Sequence, residues 1–212
     1  MNRGRFITVE GIEGTGKSTN IEFLTSIVQS YGIEVITARE PGGTPLAEQI
    51  RELLLAHREE NLPPLTELLL FFASRSVMLK NLVIPALERG NWVICDRFTD
   101  ATRAYQGAGR GLDISVIEQL AEWVHGGLQP DLTVLLDAPA ELGLSRVKSR
   151  GQGDRMDSQE LIFYEKVRTA YLNLAEENPE QFVVVDATRS LAGVQNSIRE
   201  AVEPLFTAEN IV

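Results

Sequence analysis

Cysteine and histidine are scarce in this chain: one cysteine, Cys95, and two histidines, His57 and His125, among 212 residues. A lone cysteine excludes an intramolecular disulfide and is compatible with a reducing compartment. Set in the apolar run Trp92–Cys95, it reads as a small buried hydrophobe. Two histidines in unrelated contexts cannot build a multi-histidine metal centre, and both are expected at the surface. Basic residues are outnumbered, 20 Lys+Arg against 30 Asp+Glu, for a formal charge of −10. Neither a nucleic acid nor an anionic membrane is an expected partner, although a few arginines held together can still bind small anions. No uninterrupted apolar run approaches about 18 residues, the length that spans a bilayer. The chain enters a strand almost at once with no secretory leader, so a cytoplasmic protein is expected. Internal repeats and low-complexity segments are missing. With 43% hydrophobic and 24% charged residues, the chain can bury one sizeable core.

What is present is a complete phosphate-binding loop, Gly11-Ile12-Glu13-Gly14-Thr15-Gly16-Lys17-Ser18. It follows the apolar run Phe6–Val9 and opens an amphipathic stretch, the strand-to-helix position such a loop requires. Glycines let successive amides point inward at a triphosphate, and the helix N-terminus adds its positive end. Lys17 would reach the β- and γ-phosphates, and the Ser18 hydroxyl would ligand Mg²⁺.

Four further apolar runs read as buried strands: Glu34–Thr37, Trp92–Cys95, Leu132–Leu136 and Phe182–Val185. Helical patterns alternate with them, at Ser18–Tyr31, from the Thr44-Pro45 cap to Leu55, from a Thr66 cap to about Arg89 with Pro85 as a kink, and at Ile114–His125, Ala140–Arg150, Gln159–Asn178 and Leu191–Phe206. This is the βαβ order of an α/β, P-loop NTPase fold: a five-stranded parallel sheet with helices on both faces and a short lid. The whole chain, 1–212, is expected to be one domain, with the lid at about 147–157 and a loose tail over 207–212.

Charged residues close or follow each strand: Glu10, Arg39, Asp96, Asp137 and Asp186. Ligands of open α/β sheets bind outside the carboxyl ends of the strands, so this edge is the expected active site. A GTPase would carry DxxG and Asn-Lys-x-Asp, and neither is found. Instead there are arginines suited to a second phosphate-bearing substrate. Asp96 can hold Mg²⁺ through water, and Arg97 can fork onto phosphate. Arg39, in the stiff turn Arg39-Glu40-Pro41-Gly42-Gly43-Thr44, is expected to aim into the cleft. Phe71 and Arg75 lie four apart on one helix and face one ligand; Thr102 and Gln106 are also four apart.

Glu10-Gly11 with the loop, the Arg39–Thr44 turn, Asp96-Arg97-Phe98, Ala104-Tyr105-Gln106 and Pro130-Asp131-Leu132-Thr133 resemble the bacterial thymidylate kinase family, in order and at family spacing from Phe6 to Phe206. The resemblance implies phosphoryl transfer from MgATP to dTMP by a homodimer. ATP would be held by Gly11 to Thr19 and by Arg146, the loop set being Gly11, Ile12, Glu13, Gly14, Thr15, Gly16, Lys17, Ser18 and Thr19, with Mg²⁺ at Ser18 and Asp96. The acceptor would be held by Glu13 at the 3′-hydroxyl, Arg39 and Arg97 at the phosphate, Phe71 stacked on thymine, Arg75, Thr102 and Gln106 at the base edge, and Tyr105 against the sugar 2′ position. Either Phe71 or its neighbour Phe72 must belong to the core. Lys17, Arg97 and the lid arginines Arg150 and Arg155 would be catalytic. Two positions depart from the family pattern: Ala101 stands where Ser is common, and Ile12 to Thr15 contain no arginine, which shifts the catalytic cation to the lid. A deoxynucleoside kinase with Glu10 or Glu13 as base, and a nucleotide-binding regulator without turnover, are the alternative readings.

Overall fold

Five parallel strands, β1 (Phe6–Glu10), β2 (Val35–Arg39), β3 (Trp92–Asp96), β4 (Leu132–Asp137) and β5 (Phe182–Asp186), pair in the order β2-β3-β1-β4-β5. The structure, a computed structural model, describes residues 3–57, 59–149 and 159–207. Every strand pair is parallel, so each connection must cross the sheet through a helix. The register aligns the charged strand ends: Arg39 lies opposite Asp96, Asp96 opposite Val9, and Asp137 opposite Asp186. β1 is buried along its whole length because helices cover both faces, which is why it reads as a continuous apolar run rather than an alternating one.

One face carries α1 (Lys17–Ser30) and α9 (Leu191–Thr207), whose Leu24, Val28, Ile198 and Phe206 pack on Ile7, Val9, Ile94 and Val134. Phe206 stacks on Trp92 at 5.0 Å and on Tyr31 at 4.0 Å. The other face carries α8 (Leu161–Glu177), with Val167 and Tyr171 against Leu135, and a long helical rod packed over Phe6, Val93 and Cys95. Cys95 is fully buried, in keeping with its reading as a hydrophobe.

That rod departs from its sequence pattern. It opens as α3 (Pro64–Met78) with Pro63 in the cap position, so Thr66 lies inside the first turn and caps nothing. Proline suits a first turn because the amide it lacks would have had no partner there. The rod passes through a π-helical turn, Leu79–Val83, into α4 (Ile84–Glu88). Pro85 can give no amide to the preceding turn, and the widened turn just upstream takes up that mismatch within a continuous rod. Pro64–Glu88 is long and apolar enough to cross a membrane by composition, with mean hydropathy 1.4 over its best window. Its fully buried Glu67 and Arg75, both engaged by polar groups of other elements, mark it as a core helix of the fold.

The stretch after β3 gave no helical signal, yet it coils as α5 (Thr99–Thr102) and a π-helical turn, Arg103–Gly109. The Arg110 amide donates to Tyr105 O at 2.9 Å, the five-residue step of a π-turn. Such turns cluster at functional sites because they displace side chains from α-helical positions. The remaining helices are α2 (Pro45–Leu55), capped by Thr44 as expected, α6 (Ile114–His125) and α7 (Ala140–Lys148).

His125 is a correction to the expected surface position. It is buried at the end of α6, its Nε2 within 3.2 Å of Thr99 Oγ1 and its ring 5.2 Å from that of Phe98. His57 is exposed. Of the expected lid only the end of α7 is described; Arg150, Arg155 and the rest of 150–158 lie outside the described residues, as does 208–212.

Candidate active site

The donor side is made almost entirely by one short segment. β1 delivers the chain into the loop, where Gly11, Gly14 and Gly16 adopt φ of 134°, 77° and 90°, values that side-chain-bearing residues rarely take. At Gly14 a Cβ would also come within 2.2 Å of Gly143 O, so α7 rests directly on the loop through a glycine-to-glycine contact. Arg146, one turn on, donates to Gly14 O at 3.2 Å and to Ala187 O at 3.5 Å, joining loop, α7 and the turn after β5. α1 has Gly16 in its cap position and no side-chain cap, which leaves the first-turn amides at Ser18 and Thr19 to an anion. Lys17 Nζ donates to Gly11 O at 3.1 Å and to Ile12 O at 2.9 Å. Burial, with the charge of Arg97 adding to it, lowers the Lys17 pKa to about 8. A polyanion in the loop would restore its full charge.

Among the described residues no three His, Cys, Asp or Glu side chains gather as a metal cage. Magnesium needs none, since it is held by one or two protein oxygens together with phosphates and waters. Asp96 Oδ1 is buried without a hydrogen-bond partner at the carboxyl end of β3. An orphaned carboxylate oxygen beside a phosphate loop fits a hydrated cation, and Ser18 lies exposed at the start of α1.

Beside the loop lies a partly open pocket lined by charged and aromatic side chains. Glu13 belongs to both the loop and the pocket wall, which continues through Glu40, Arg51, Phe71, Arg97, Tyr105 and Gln106. Arg97 is the hub. It is a non-glycine residue at φ 70°, a strained conformation that re-aims its side chain just past the end of β3. Its guanidinium donates to Glu13 Oε1 at 2.9 Å, to Tyr105 OH at 3.1 Å and to Tyr171 OH at 3.2 Å. Tyr105 OH donates to Glu13 Oε2 at 2.6 Å, and Tyr171 OH to Glu10 Oε2 at 2.7 Å. Glu10 Oε1 accepts from the Phe98 amide at 2.7 Å. Burial raises the Glu10 pKa to about 8, with Asp100 adding to the effect and Arg97 opposing it.

A second buried cation sits behind the pocket. Arg75 is 1% exposed and forks onto Glu40, with Nε at 2.8 Å from each carboxylate oxygen. Its Nη2 also reaches Glu40 and donates to Thr102 Oγ1 at 2.8 Å, and the guanidinium lies over the rings of Phe72 and Phe98. Arg75 Nη1 is buried with no hydrogen-bond partner among the described residues. Phe72 is in the core with Leu68 and Ile117, while Phe71 lines the pocket. Thr102 is therefore a partner of Arg75, and Gln106 donates to Glu67 Oε1 at 2.8 Å.

Arg39 does not join this assembly. It forms a two-point ion pair with Glu48, at 3.1 and 2.8 Å, and its side chain is 54% exposed. The turn sends the next residue, Glu40, inward in its place, because successive residues at the end of a strand point to opposite faces. Arg51 of α2 lies in the pocket wall and donates to Pro41 O at 2.8 Å. Arg51, Glu40, Glu67 and Tyr171 were all missed. Arg51 and Glu67 carried a weak signal as charged residues on helices beside the phosphate-binding edge.

A phosphate loop that shares an acid with a cation-lined pocket defines a P-loop phosphotransferase with a separate site for its acceptor. The thymidylate kinase family model matches residues 9–198. The chain is 55% identical to the thymidylate kinase of Teredinibacter turnerae over 94% of this chain and 98% of that one, and 53% identical to that of Pseudomonas fluorescens over 92% and 93%. The crystal structure of thymidylate kinase from Ehrlichia chaffeensis superposes with a TM-score of 0.76 at 33% identity, covering 95% of this chain and 99% of that one. The chain belongs to the thymidylate kinase family.

Proposed function

We propose that this protein moves the γ-phosphoryl group of MgATP onto the phosphate of dTMP, giving dTDP and ADP. The observation that carries the reading is Glu13: one residue of the phosphate loop closes the wall of the second pocket and is held there by Arg97 and Tyr105. Donor and acceptor phosphates would thus meet across a single side chain. The acceptor oxygen is already anionic at neutral pH, so no general base is needed. Both carboxylates that a nucleoside kinase could use as base are engaged, Glu10 with Phe98 and Tyr171, Glu13 with Arg97 and Tyr105. That favours a monophosphate acceptor over a nucleoside.

Catalysis is then positioning and charge neutralisation. Loop amides and Lys17 bind the donor phosphates. Arg97 and Arg51 hold the acceptor phosphate, Phe71 stacks on the base, and Arg75 and Gln106 read its edge. Tyr105 crowds the sugar. Magnesium, held by Ser18 and Asp96 with the phosphates, would neutralise charge between the β- and γ-phosphates. The cation facing the transferred group from the other side comes from Arg150 or Arg155, because Ile12 to Thr15 contain none and Arg146 is bonded to the carbonyls of Gly14 and Ala187. A cytoplasmic location and a homodimer complete the proposal. α3 and α6 pack together, and α3 exposes Leu65 and Leu69 while α6 exposes Ile114, Val116 and Trp123. Trp123 is 78% exposed, an area that a second copy would cover.

A panel of nucleosides and nucleoside monophosphates with MgATP, scored by ADP release, tests the reading. dTMP should be the preferred acceptor. Preference for thymidine would point to a deoxynucleoside kinase, and absence of ADP with every acceptor to a binding protein without turnover.

A further inference from the structure

Glu67 is one of the most deeply buried carboxylates of the chain, 1% exposed in the first turn of α3, and the transfer reaction gives it no task. Its Oε1 accepts from Gln106 Nε2 at 2.8 Å across 39 residues of sequence, and from Arg110 Nε at 3.4 Å. Arg110 is itself set over the Phe163 ring, 5.0 Å from its centroid. A carboxylate paired with arginine offers only acceptors, so the Gln106 carboxamide has one permitted orientation: nitrogen toward Glu67, oxygen away from it. No described residue donates to that oxygen, and Gln106 is part of the pocket wall.

With its nitrogen held by Glu67, Gln106 presents Oε1 as the acceptor of its carboxamide in the pocket wall. A fixed acceptor complements the N3–H of an imide base, thymine or uracil. It opposes cytosine, whose N3 is itself an acceptor. We propose that Glu67 is a specificity-determining positioning residue, locking the Gln106 carboxamide so that the pocket accepts a base with a hydrogen-bond donor at N3. This deepens the proposed function and rests on its base-pocket reading. The bond to Glu67 converts an ambidextrous side chain, which could satisfy either base by turning over, into a fixed acceptor.

The test is the selectivity between dTMP and 5-methyl-dCMP, which share the methyl group and sugar and differ only along the edge in question. Glu67→Gln keeps the size but can donate as well as accept, so both orientations of Gln106 become available. The ratio of kcat/KM for the two nucleotides should fall by about 10-fold, the scale of one buried unsatisfied hydrogen bond. The KM for ATP should stay unchanged. Glu67→Asp keeps the charge for Arg110 but withdraws the acceptor by one methylene, and should lower the ratio in the same direction if Glu67→Gln does not fold. A ratio at the wild-type value in whichever variants fold, or equal losses for both nucleotides, would overturn the proposal and leave Glu67 a structural ion pair. Gln106→Leu separates the two levels. If it collapses selectivity while the Glu67 variants do not, only the locking role fails. If it leaves selectivity intact, the base-pocket reading fails with it.

Discussion

The two halves of the site are built by opposite means. The candidate donor side is one contiguous loop shaped by three left-handed glycines, in which Lys17 bonds to carbonyls only five and six residues away. The candidate acceptor side is made of side chains from distant segments of the chain, with partners 35 residues apart in Arg75–Glu40, 84 in Arg97–Glu13 and 161 in Tyr171–Glu10. A loop of amides can receive any polyphosphate, since every nucleotide presents the same oxygens. A pocket that must tell one base and sugar from others needs fixed side chains, and buried ion pairs fix them at the cost of desolvation. The donor half can therefore lose a side chain with little effect on the fold, whereas the acceptor half couples binding to stability.

Lys17→Ala breaks the donor half most cleanly. Loss of one preorganised charge on the transferring group should lower kcat by about two to four orders of magnitude, while the thermal midpoint stays near that of wild type. Steady-state assays beside a thermal melt check both parts, and a large drop in midpoint would erase the contrast between the halves.

The counterpart on the acceptor side is Glu40→Ala, which strands Arg75 in a site where both side chains are under 5% exposed. Removing one partner of a buried pair costs about 3–5 kcal/mol. Urea denaturation should show that loss together with weakened dTMP binding. Normal stability in Glu40→Ala would mean that Arg75 is satisfied by Thr102 and the Phe98 carbonyl alone.

Phe71→Ala sharpens the comparison, because this side chain serves the pocket and not the core. Loss of a stacking face is worth about 1–3 kcal/mol, and it should raise the dTMP KM and leave that for ATP unchanged. Phe72→Ala should act mainly on stability. An exchange of those two outcomes would reverse the assignment of the phenylalanines.

The smallest effect concerns His125, behind the acceptor half. Burial, with Arg75 and Arg103 nearby, lowers its pKa from 6.5 to about 4. The unfolded chain binds this proton first, so the histidine draws stability away as pH falls from about 6.5 towards about 4, and has no effect above that window. His125→Leu should flatten that part of the stability–pH curve. Denaturant midpoints at pH 7 and pH 4.5 for both proteins measure it, and an equal fall in the two would remove His125 as the cause.

The sheet, its order of elements and the phosphate loop were legible in the amino-acid sequence because their signals are local: continuous apolar runs, a Thr44-Pro45 cap, and glycines spaced for a turn. On the same helix, the structure sets Phe71 in the pocket wall and buries Arg75 against Glu40. Local pattern stopped at the strand end after Arg39, where a single step decides which residue turns inward: it aimed Arg39 into the cleft, whereas the structure pairs Arg39 with Glu48 and sets Arg51 in the pocket wall. It also overlooked the helical coil over Thr99–Gly109, where the π-turn leaves no 3.6-residue period to detect. Tertiary structure alone decided the partners: Glu40 for Arg75, Tyr171 and Glu13 for Arg97, Glu67 for Gln106, and burial for His125. A hydrogen bond between residues 35 to 161 apart leaves no periodicity in the chain, because it depends on how helices from both halves of the sequence settle on one sheet edge. The chemistry available at that edge was written locally; the orientation of each group was decided by its distant neighbour.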